Sequence, residues 1–354
     1  MGIKLRKLFS GKTVLITGST GFKGSWLSIW LHSCGAKVVG YALPPKSRRD
    51  NFVICGLDKK VKQIHADIRD VKRLKSVFSA YKPDFAFHLA AQPLVLESYR
   101  SPFDTFETNI MGTAAFLEAV REQKSVRSAV VITTDKVYQN EYDGHPFVET
   151  DPLGGHDPYS ASKAGAEIVS ASYIKSFFSD SKTAIATARA GNVIGGGDYA
   201  DNRIVPDCIR ALEAGKPIEI RNPSAVRPWQ HVLEPLGGYI ELAAALYKYG
   251  KKYEGGWNFG PNVKESFSVE KVVDAVIREW GSGSKVVSAQ KKKVHEAPVL
   301  RLNIDKAKKQ LGWKPKLDFK DTIRLTVEEY KCKFKSPGTY YAQRLEHIRF
   351  WERL

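Results

Sequence analysis

The sequence predicts an α/β protein: a doubly wound parallel sheet with a smaller C-terminal lobe. Three observations predict it. Short β-branched runs alternate with amphipathic stretches through the first 190 residues, a glycine-rich turn follows the first run, and the rhythm loosens beyond Ala190. Strands separated by helical stretches pair in parallel through crossovers, which cover both faces of the sheet.

Residues 13–17 (Thr-Val-Leu-Ile-Thr) read as a buried strand. Trp26, Leu27, Ile29, Trp30 and Leu31 form the apolar part of a helix that Gly35 can stop, and 37–41 is the next strand. Further strands are expected at 61–66, 85–90, 128–134 and 183–189, with helices at 71–81, 103–123 and 160–178. After Ala190, Gly195-Gly-Gly197 and Pro206, Pro217, Pro223 and Pro228 break the pattern into loops and short elements. A helix through 235–249 ends at Gly250, and Trp257-Asn-Phe259 reads as a return strand of the sheet. The expected division is therefore 1–190 with 228–261 as the sheet domain, and 191–227 with 262–354 as the lobe.

Of 354 residues, 55 are Lys or Arg and 38 Asp or Glu, a net charge of +17, and 43% are hydrophobic, which excludes a disordered chain. The longest apolar stretches, such as 242–247, fall far short of the roughly 18 residues that span a bilayer. The basic start at 1–9 lacks an apolar core and a cleavage site, and Arg6 stands where a myristoylation signal needs Ser or Thr. A cytoplasmic protein with no membrane partner is expected. Cys34, Cys55, Cys208 and Cys332 form no C-x-x-C pair, which argues against a zinc site or a disulfide scaffold, so no metal is expected. The positive surplus invites a nucleic-acid reading. Its densest pieces, 46–49, 291–293 and 306–309, lie in no nucleic-acid motif and read as solvated surface.

Gly18, Gly21 and Gly24, with Thr20, Phe22 and Lys23 between them, open the first helix directly after the first strand. Glycines there let the backbone turn tightly and bring a pyrophosphate against N–H groups at the positive helix end. The spacing is G-x-x-G-x-x-G, and the whole loop is assigned to a dinucleotide. The acid expected at the end of the second strand is absent; Ala42-Leu-Pro-Pro45 precede Lys46, Arg48 and Arg49. NAD held without that carboxylate is preferred, and NADP met by the basic cluster is the alternative. Asp67, followed by Ile68, is placed to accept a hydrogen bond from adenine or, failing that, to cap a helix.

Tyr159 and Lys163 stand four apart and share one helical face, where the ammonium can lower the phenol pKa towards that of a general base. Thr134, Asp135 and Lys136 follow the strand at 128–132, at the carboxyl end where open α/β sheets hold ligands. An alcohol oxidation needs only Thr134, Tyr159 and a nicotinamide, so the extra acid and base imply a further proton transfer.

Gly18, Gly21, Gly24, Asp67, Ala90-Ala91-Gln92, Thr134 and the Tyr159/Lys163 pair resemble the extended short-chain dehydrogenase/reductase family acting on nucleotide sugars. Thr20-Gly-Phe-Lys-Gly-Ser-Trp26, Asp151-Pro-Leu-Gly-Gly-His-Asp-Pro-Tyr-Ser160, Arg189-Ala-Gly-Asn192 and Arg227-Pro-Trp-Gln-His231 resemble its CDP-glucose 4,6-dehydratase branch. The likeness runs from about residue 11 to about 315. It implies a Rossmann domain holding NAD throughout the cycle, with Ala90 and Ala91 added to the cofactor residues. It implies CDP-glucose as substrate, held by Gln92, Asn192, Arg203 and Arg227, with Asn192 and Arg227 on the diphosphate, the last through its phosphate-matching fork.

The chemistry implied has Tyr159, helped by Thr134, removing the sugar 4-hydroxyl proton as hydride leaves C4 for NAD. Lys136 then takes the C5 proton, Asp135 protonates the departing 6-hydroxyl, and hydride returns to C6. An ammonium cannot accept a proton, so Lys136 has to be neutral when it acts. The product is a 4-keto-6-deoxy sugar of the kind used in lipopolysaccharide O-antigen. Relatives form homodimers or homotetramers, here through the helices around 103–123 and 160–178. Trp229 and His231 read as packing, and His156 and Asp157 as loop-shaping. Ser19 and Val137 depart from the branch, which has His and Cys there. A 4-epimerase, which would need neither Asp135 nor Lys136, and a dehydratase of another nucleotide sugar are the alternatives.

Overall fold

Seven parallel strands carry the fold: β1 (Thr13–Thr17), β2 (Lys37–Ala42), β3 (Lys62–His65), β4 (Phe85–His88), β5 (Ser128–Ile132), β6 (Ala184–Arg189) and β7 (Gly255–Asn258). Their order across the sheet is β7-β6-β5-β4-β1-β2-β3. The computed structural model describes residues 2–140, 144–262, 266–287, 300–332 and 336–354. The basic run at 291–293 and part of the 141–148 segment lie outside these residues. From β1 the chain winds outward to β3, then returns to β4 on the other side of β1, so the strand order reverses between β1 and β4 and opens a crevice there.

Alternation along the strands builds two cores. Val14 and Ile16 join Trp26, Trp30, Phe85 and Phe87 on one face, while Leu15, Val39 and Tyr41 join Leu74, Phe78 and Phe116 on the other. Every expected strand of the sheet is present. The runs at 85–90 and 128–134 leave the sheet at His88 and Ile132, which frees Ala90 and Thr134 for the crevice.

The stretch at 103–123 is not one continuous α-helix. Pro102–Phe106 and Gly112–Arg121 are joined by a π-helical turn, Glu107–Met111. That turn carries the buried Asn109, which accepts from the Gln92 amide N–H at 2.8 Å and donates to Ser162 Oγ at 2.8 Å. The helix expected at 160–178 runs Pro158–Phe177, starting two residues earlier, because Asp157 caps it rather than shaping a loop. Asp157 accepts from the Ser160 N–H at 2.9 Å and Pro158 occupies the first turn.

From the middle of that helix, the buried Glu167 accepts from Thr133 Oγ1, Thr187 Oγ1 and the Arg189 guanidinium, so one carboxylate ties the helix to β6 and to the residue after β5. Removing one member of such a pair leaves an uncompensated buried charge, a cost of about 3–5 kcal/mol.

The lobe has its own core, in which Ile209, Ile218, Trp229, Val272 and Val276 meet Ile323 and Val327 of the helix Phe319–Lys331. The last helix, Pro337–Arg353, behaves differently from the expected division at 262–354. It packs on the first helix of the sheet domain, Phe22–Ser33, with Trp351 edge-on to Trp30 at 5.2 Å. Tyr341, Ile348 and Trp351 of this helix are buried in the core of the sheet domain. The basic start of the chain is likewise a helix, Gly2–Phe9, whose Phe9 is buried against Phe85 at 4.5 Å. The cluster at 306–309 is largely engaged: Lys306 donates to the Gly256 carbonyl, Lys308 to Asn262, and Lys309 faces Asp305.

Candidate active site

The crevice is a cleft of about 1080 Å³ along the carboxyl ends of β1 to β6, roofed by the lobe. Its cofactor side is built from backbone. Gly18 has φ +71°, and a Cβ there would stand 2.7 Å from the Ala90 nitrogen; at Gly24 it would stand 2.1 Å from the Gly18 carbonyl oxygen. Gly21 begins the helix Phe22–Ser33 without any side-chain cap, which leaves the N–H groups at its positive end for an anion. Thr20 Oγ1 donates to the Leu43 carbonyl and Ser19 Oγ to Gln63 Oε1, each at 2.8 Å, fixing the loop against the ends of β2 and β3. The loop fits a dinucleotide diphosphate.

Asp67, Ile68, Ala90 and Ala91 line the same cleft. Arg69 grips the Asp67 carboxylate through its side chain (2.8 Å) and its backbone N–H (2.9 Å), holding that carboxyl below its usual range. The helix Val71–Tyr81 is capped by Asp70 instead, which accepts from the Arg73 N–H at 3.0 Å. Of the basic cluster after β2, Arg49 is committed elsewhere. It binds both oxygens of Glu213 at 2.7 Å and stacks at 4.2 Å on Tyr199.

The acid–base side is built from side chains. Thr134, Asp135, Lys136, Tyr159 and Lys163 all line the cleft, together with Asn192, Arg203 and Arg227. Asp135 is buried, accepts from Thr134 Oγ1 at 3.0 Å, and accepts from Asn192 Nδ2 at 3.2 Å. Gly191 leaves it the room: a Cβ there would fall 1.9 Å from Asp135 Oδ2. Asn192, at φ +50°, thus turns its amide to the acid, where a diphosphate contact had been expected. Lys136 follows in a short 3-10 turn, Asp135–Val137, with Thr134 as its cap.

Tyr159 and Lys163 both line the cleft, and burial is the largest influence on each. Burial pushes the Tyr159 phenol up to about 12, opposed by the Thr134 hydrogen bond and by the charge of Arg203. Lys163 Nζ donates to the Ile132 carbonyl at 2.9 Å, and burial pushes its amine down to about 8. One charge that favours the phenolate, Arg203, comes from the 191–227 segment. Arg203 is itself held by Asp198 at 2.8 Å. Lys23 also reaches this side, its amine pushed down to about 7 by burial and then by Arg203 and Lys163. Beneath β4, His88 is buried between Thr17 Oγ1 and Thr113 Oγ1, and burial pushes it down to about 3, so it stays neutral.

Arg227 is buried at the cleft wall and donates to the Val226 carbonyl at 2.8 Å. Gln92 is not brought to the site. Its amide donates to the Leu94 carbonyl and Thr105 Oγ1 and accepts from the Leu94 N–H, so the side chain is used in shaping its own loop. Trp229 and His231 serve packing: the indole donates to the Phe267 carbonyl at 2.9 Å, and the imidazole is fully buried beside Glu329. Gly191 and Asp198 escaped the sequence reading, although Gly191 lies inside the Arg189–Asn192 motif it used.

Comparison with known proteins agrees with this geometry. The sequence profile of the GDP-mannose 4,6 dehydratase family matches residues 15–326. The CDP-glucose 4,6-dehydratase of Salmonella typhimurium (strain LT2) is 43% identical over 332 residues, 92% of each chain. The dTDP-D-glucose 4,6-dehydratase of Homo sapiens is 27% identical over 345 residues, 91% of each. Among solved structures, the UDP-glucose 4-epimerase of Thermus thermophilus in complex with NAD superposes with a TM-score of 0.78 at 27% identity, covering 91% of this chain and 100% of that one. The Bacillus anthracis dTDP-glucose 4,6-dehydratase shares the fold with a TM-score of 0.75 at 22% identity, covering 91% and 97%.

Proposed function

The chain belongs to the GDP-mannose 4,6 dehydratase family, and from that premise we propose that it converts CDP-D-glucose to CDP-4-dehydro-6-deoxy-D-glucose and water. The observation that carries the reading is Asp135, buried and aligned by Thr134 and Asn192 in the cleft of Tyr159, with Lys136 next in the chain. An epimerase has no use for that acid. The Salmonella relative, 43% identical, supports CDP-glucose over other nucleotide sugars.

NAD, when bound, supplies the hydride acceptor and donor at the sugar. Gly18, Thr20, Gly21, Phe22, Lys23 and Gly24 would hold its diphosphate, Asp67 and Ile68 its adenine, and Ala90, Ala91 and Lys163 its nicotinamide half. The commitment of Arg49 to Glu213 supports NAD over NADP, because it withdraws the strongest phosphate ligand of the basic cluster. Tyr159 takes the proton of the sugar 4-hydroxyl, with Thr134 sharing that hydrogen bond. Lys136 in its neutral form removes the proton at C5, which the 4-ketone has made acidic. Asp135 hands its proton to the 6-hydroxyl as water leaves. Arg227 and Arg203 bind the nucleotide diphosphate.

Residues 1–190 with 228–261 hold the cofactor and 191–227 with 262–332 the nucleotide sugar. Two copies associate through the helices around 103–123 and 158–177, a reading supported by the exposed Phe103, Met111 and Ile168. The buried free thiols of Cys34, Cys55 and Cys208 suit the reducing cytoplasm. No helix among the described residues is long and apolar enough to cross a membrane.

The test is incubation of the purified protein with CDP-, UDP-, GDP- and dTDP-glucose. A 4-keto-6-deoxy product from the CDP-sugar, with no net NADH, is expected. Recovery of unchanged or C4-epimerised sugar from all four would overturn the reading. Lys136→Ala should abolish solvent-deuterium exchange at C5 while C4 oxidation persists.

A further inference from the structure

The family profile ends at residue 326, yet a buried polar cluster just beyond it reaches back to the cleft. Glu329, fully buried on the helix Phe319–Lys331, accepts from the Gly196 N–H at 2.5 Å. The other side of that peptide is held too, since the Trp26 indole donates to the Gly196 carbonyl at 2.9 Å. The next residue of the helix, Tyr330, donates to the Asp198 carbonyl at 2.5 Å. The fit leaves no slack. A Cβ at Gly196 would lie 2.3 Å from the Glu329 Cβ, and one at Gly197 2.4 Å from the Asn51 Cβ.

Glu329 is fixed in turn by His347 at 2.8 Å and His231 at 3.2 Å. Arg344, from the last helix, donates to Asn51 at 3.1 Å and lies over the Trp26 ring at 5.2 Å. Asp198 is thereby held at its backbone by Tyr330, while its carboxylate grips Arg203 at 2.8 Å. Arg203 and Tyr159 line one cleft.

We propose that Glu329 and Tyr330 are positioning residues of the active site: through the loop from Gly196 to Asp198 they hold Arg203 in the cleft of Tyr159. The C-terminal segment then sets the acid–base centre without touching substrate. Tyr159 shares its cleft with the cations Arg203, Lys23, Lys136 and Lys163 and the acids Asp135 and Asp157, with the phenol of Tyr239 also near; Arg203 lowers the phenol and the two acids raise it. A guanidinium favours the phenolate. If Arg203 drifts, the phenol titrates at higher pH, and less of it is available as a base at neutrality.

The inference rests on the dehydratase reading, and its test separates the two. Tyr330→Phe removes one hydroxyl. It should cut the rate of C4 oxidation at pH 7 roughly fivefold, the scale of one lost buried hydrogen bond, and the loss should be regained as pH rises. Arg203→Met should displace the same rising limb at least as far. The double variant should lie no further than Arg203→Met alone, because both act through one cation. A role in stability only would lower Tm and leave the limb in place. An unmoved limb in folded Tyr330→Phe, or additive displacements in the double variant, overturns the proposal. Glu329→Gln, which keeps an acceptor for Gly196 but loses its charge against the two imidazoles, should move the limb in the same direction. NMR titration of the Tyr159 phenol, assigned with Tyr159→Phe, reads the same displacement without substrate. A displaced titration in protein that dehydrates no sugar would uphold this inference and sink the dehydratase reading.

Discussion

The two sides of the cleft are made differently. On the cofactor side the working atoms are backbone N–H groups, and what the sequence contributes is absence: no Cβ at Gly18, Gly21 or Gly24. On the acid–base side the working atoms are side-chain termini held by other side chains, Asp135 by Asn192 from a distant loop and Arg203 by Asp198 of its own segment. A loop of the first kind depends on local sterics and works or fails as a unit. A centre of the second kind depends on tertiary placement, so its members can be weakened one at a time.

That contrast breaks most visibly at Tyr159. Tyr159→Phe should lower single-turnover formation of the keto-sugar by about 10³-fold, as for loss of a general base, while NAD affinity stays within about threefold. Weak dinucleotide binding in this variant would mean that the two sides are not separable. Next comes Gly191→Ala, whose methyl group would displace the Asp135 carboxylate. A misplacement of about 1 Å costs on the order of 10²-fold, and the loss should fall on elimination of water more than on C4 oxidation. C5 deuterium exchange measured beside product release distinguishes the steps.

Gly18→Ala tests the other side. With φ at +71° and the Ala90 nitrogen 2.7 Å from the new Cβ, the variant should bind NAD about tenfold more weakly, roughly 1.4 kcal/mol, and recover its kcat at saturating cofactor. Persistent loss of kcat would show that the glycine turn also positions the catalytic centre. Smallest is Arg69→Ala. Its grip on Asp67 is an exposed pair, so NAD affinity should change by less than about threefold.

The same contrast governs what could be read before the fold was known. Strands, their order of appearance, the glycine loop and the Tyr159/Lys163 spacing are written in local periodicity. The partners of the side chains are not. Asn192 meets Asp135 across 57 positions, and nothing near either residue announces the pairing. Gln92 sits in a motif-like run, yet its amide is consumed by Leu94 and Thr105. Lys163 has the spacing to share a face with Tyr159, and its amine donates to the Ile132 carbonyl, while Arg203, 44 positions beyond Tyr159, lines the same cleft without any local signal. The last helix is expected with the lobe, and its seat on the sheet domain, with Trp351 meeting Trp30, is a tertiary contact that no local pattern announces.

Glu167 has a consequence for motion. By tying β6 and the residue after β5 to the helix of Tyr159, it mounts the acid–base groups on one rigid block. A 4,6-dehydration makes its demands at three neighbouring carbons in turn. With the tools clamped, the sugar has to do the travelling, swinging about its own diphosphate so that C6 comes to where C4 had been.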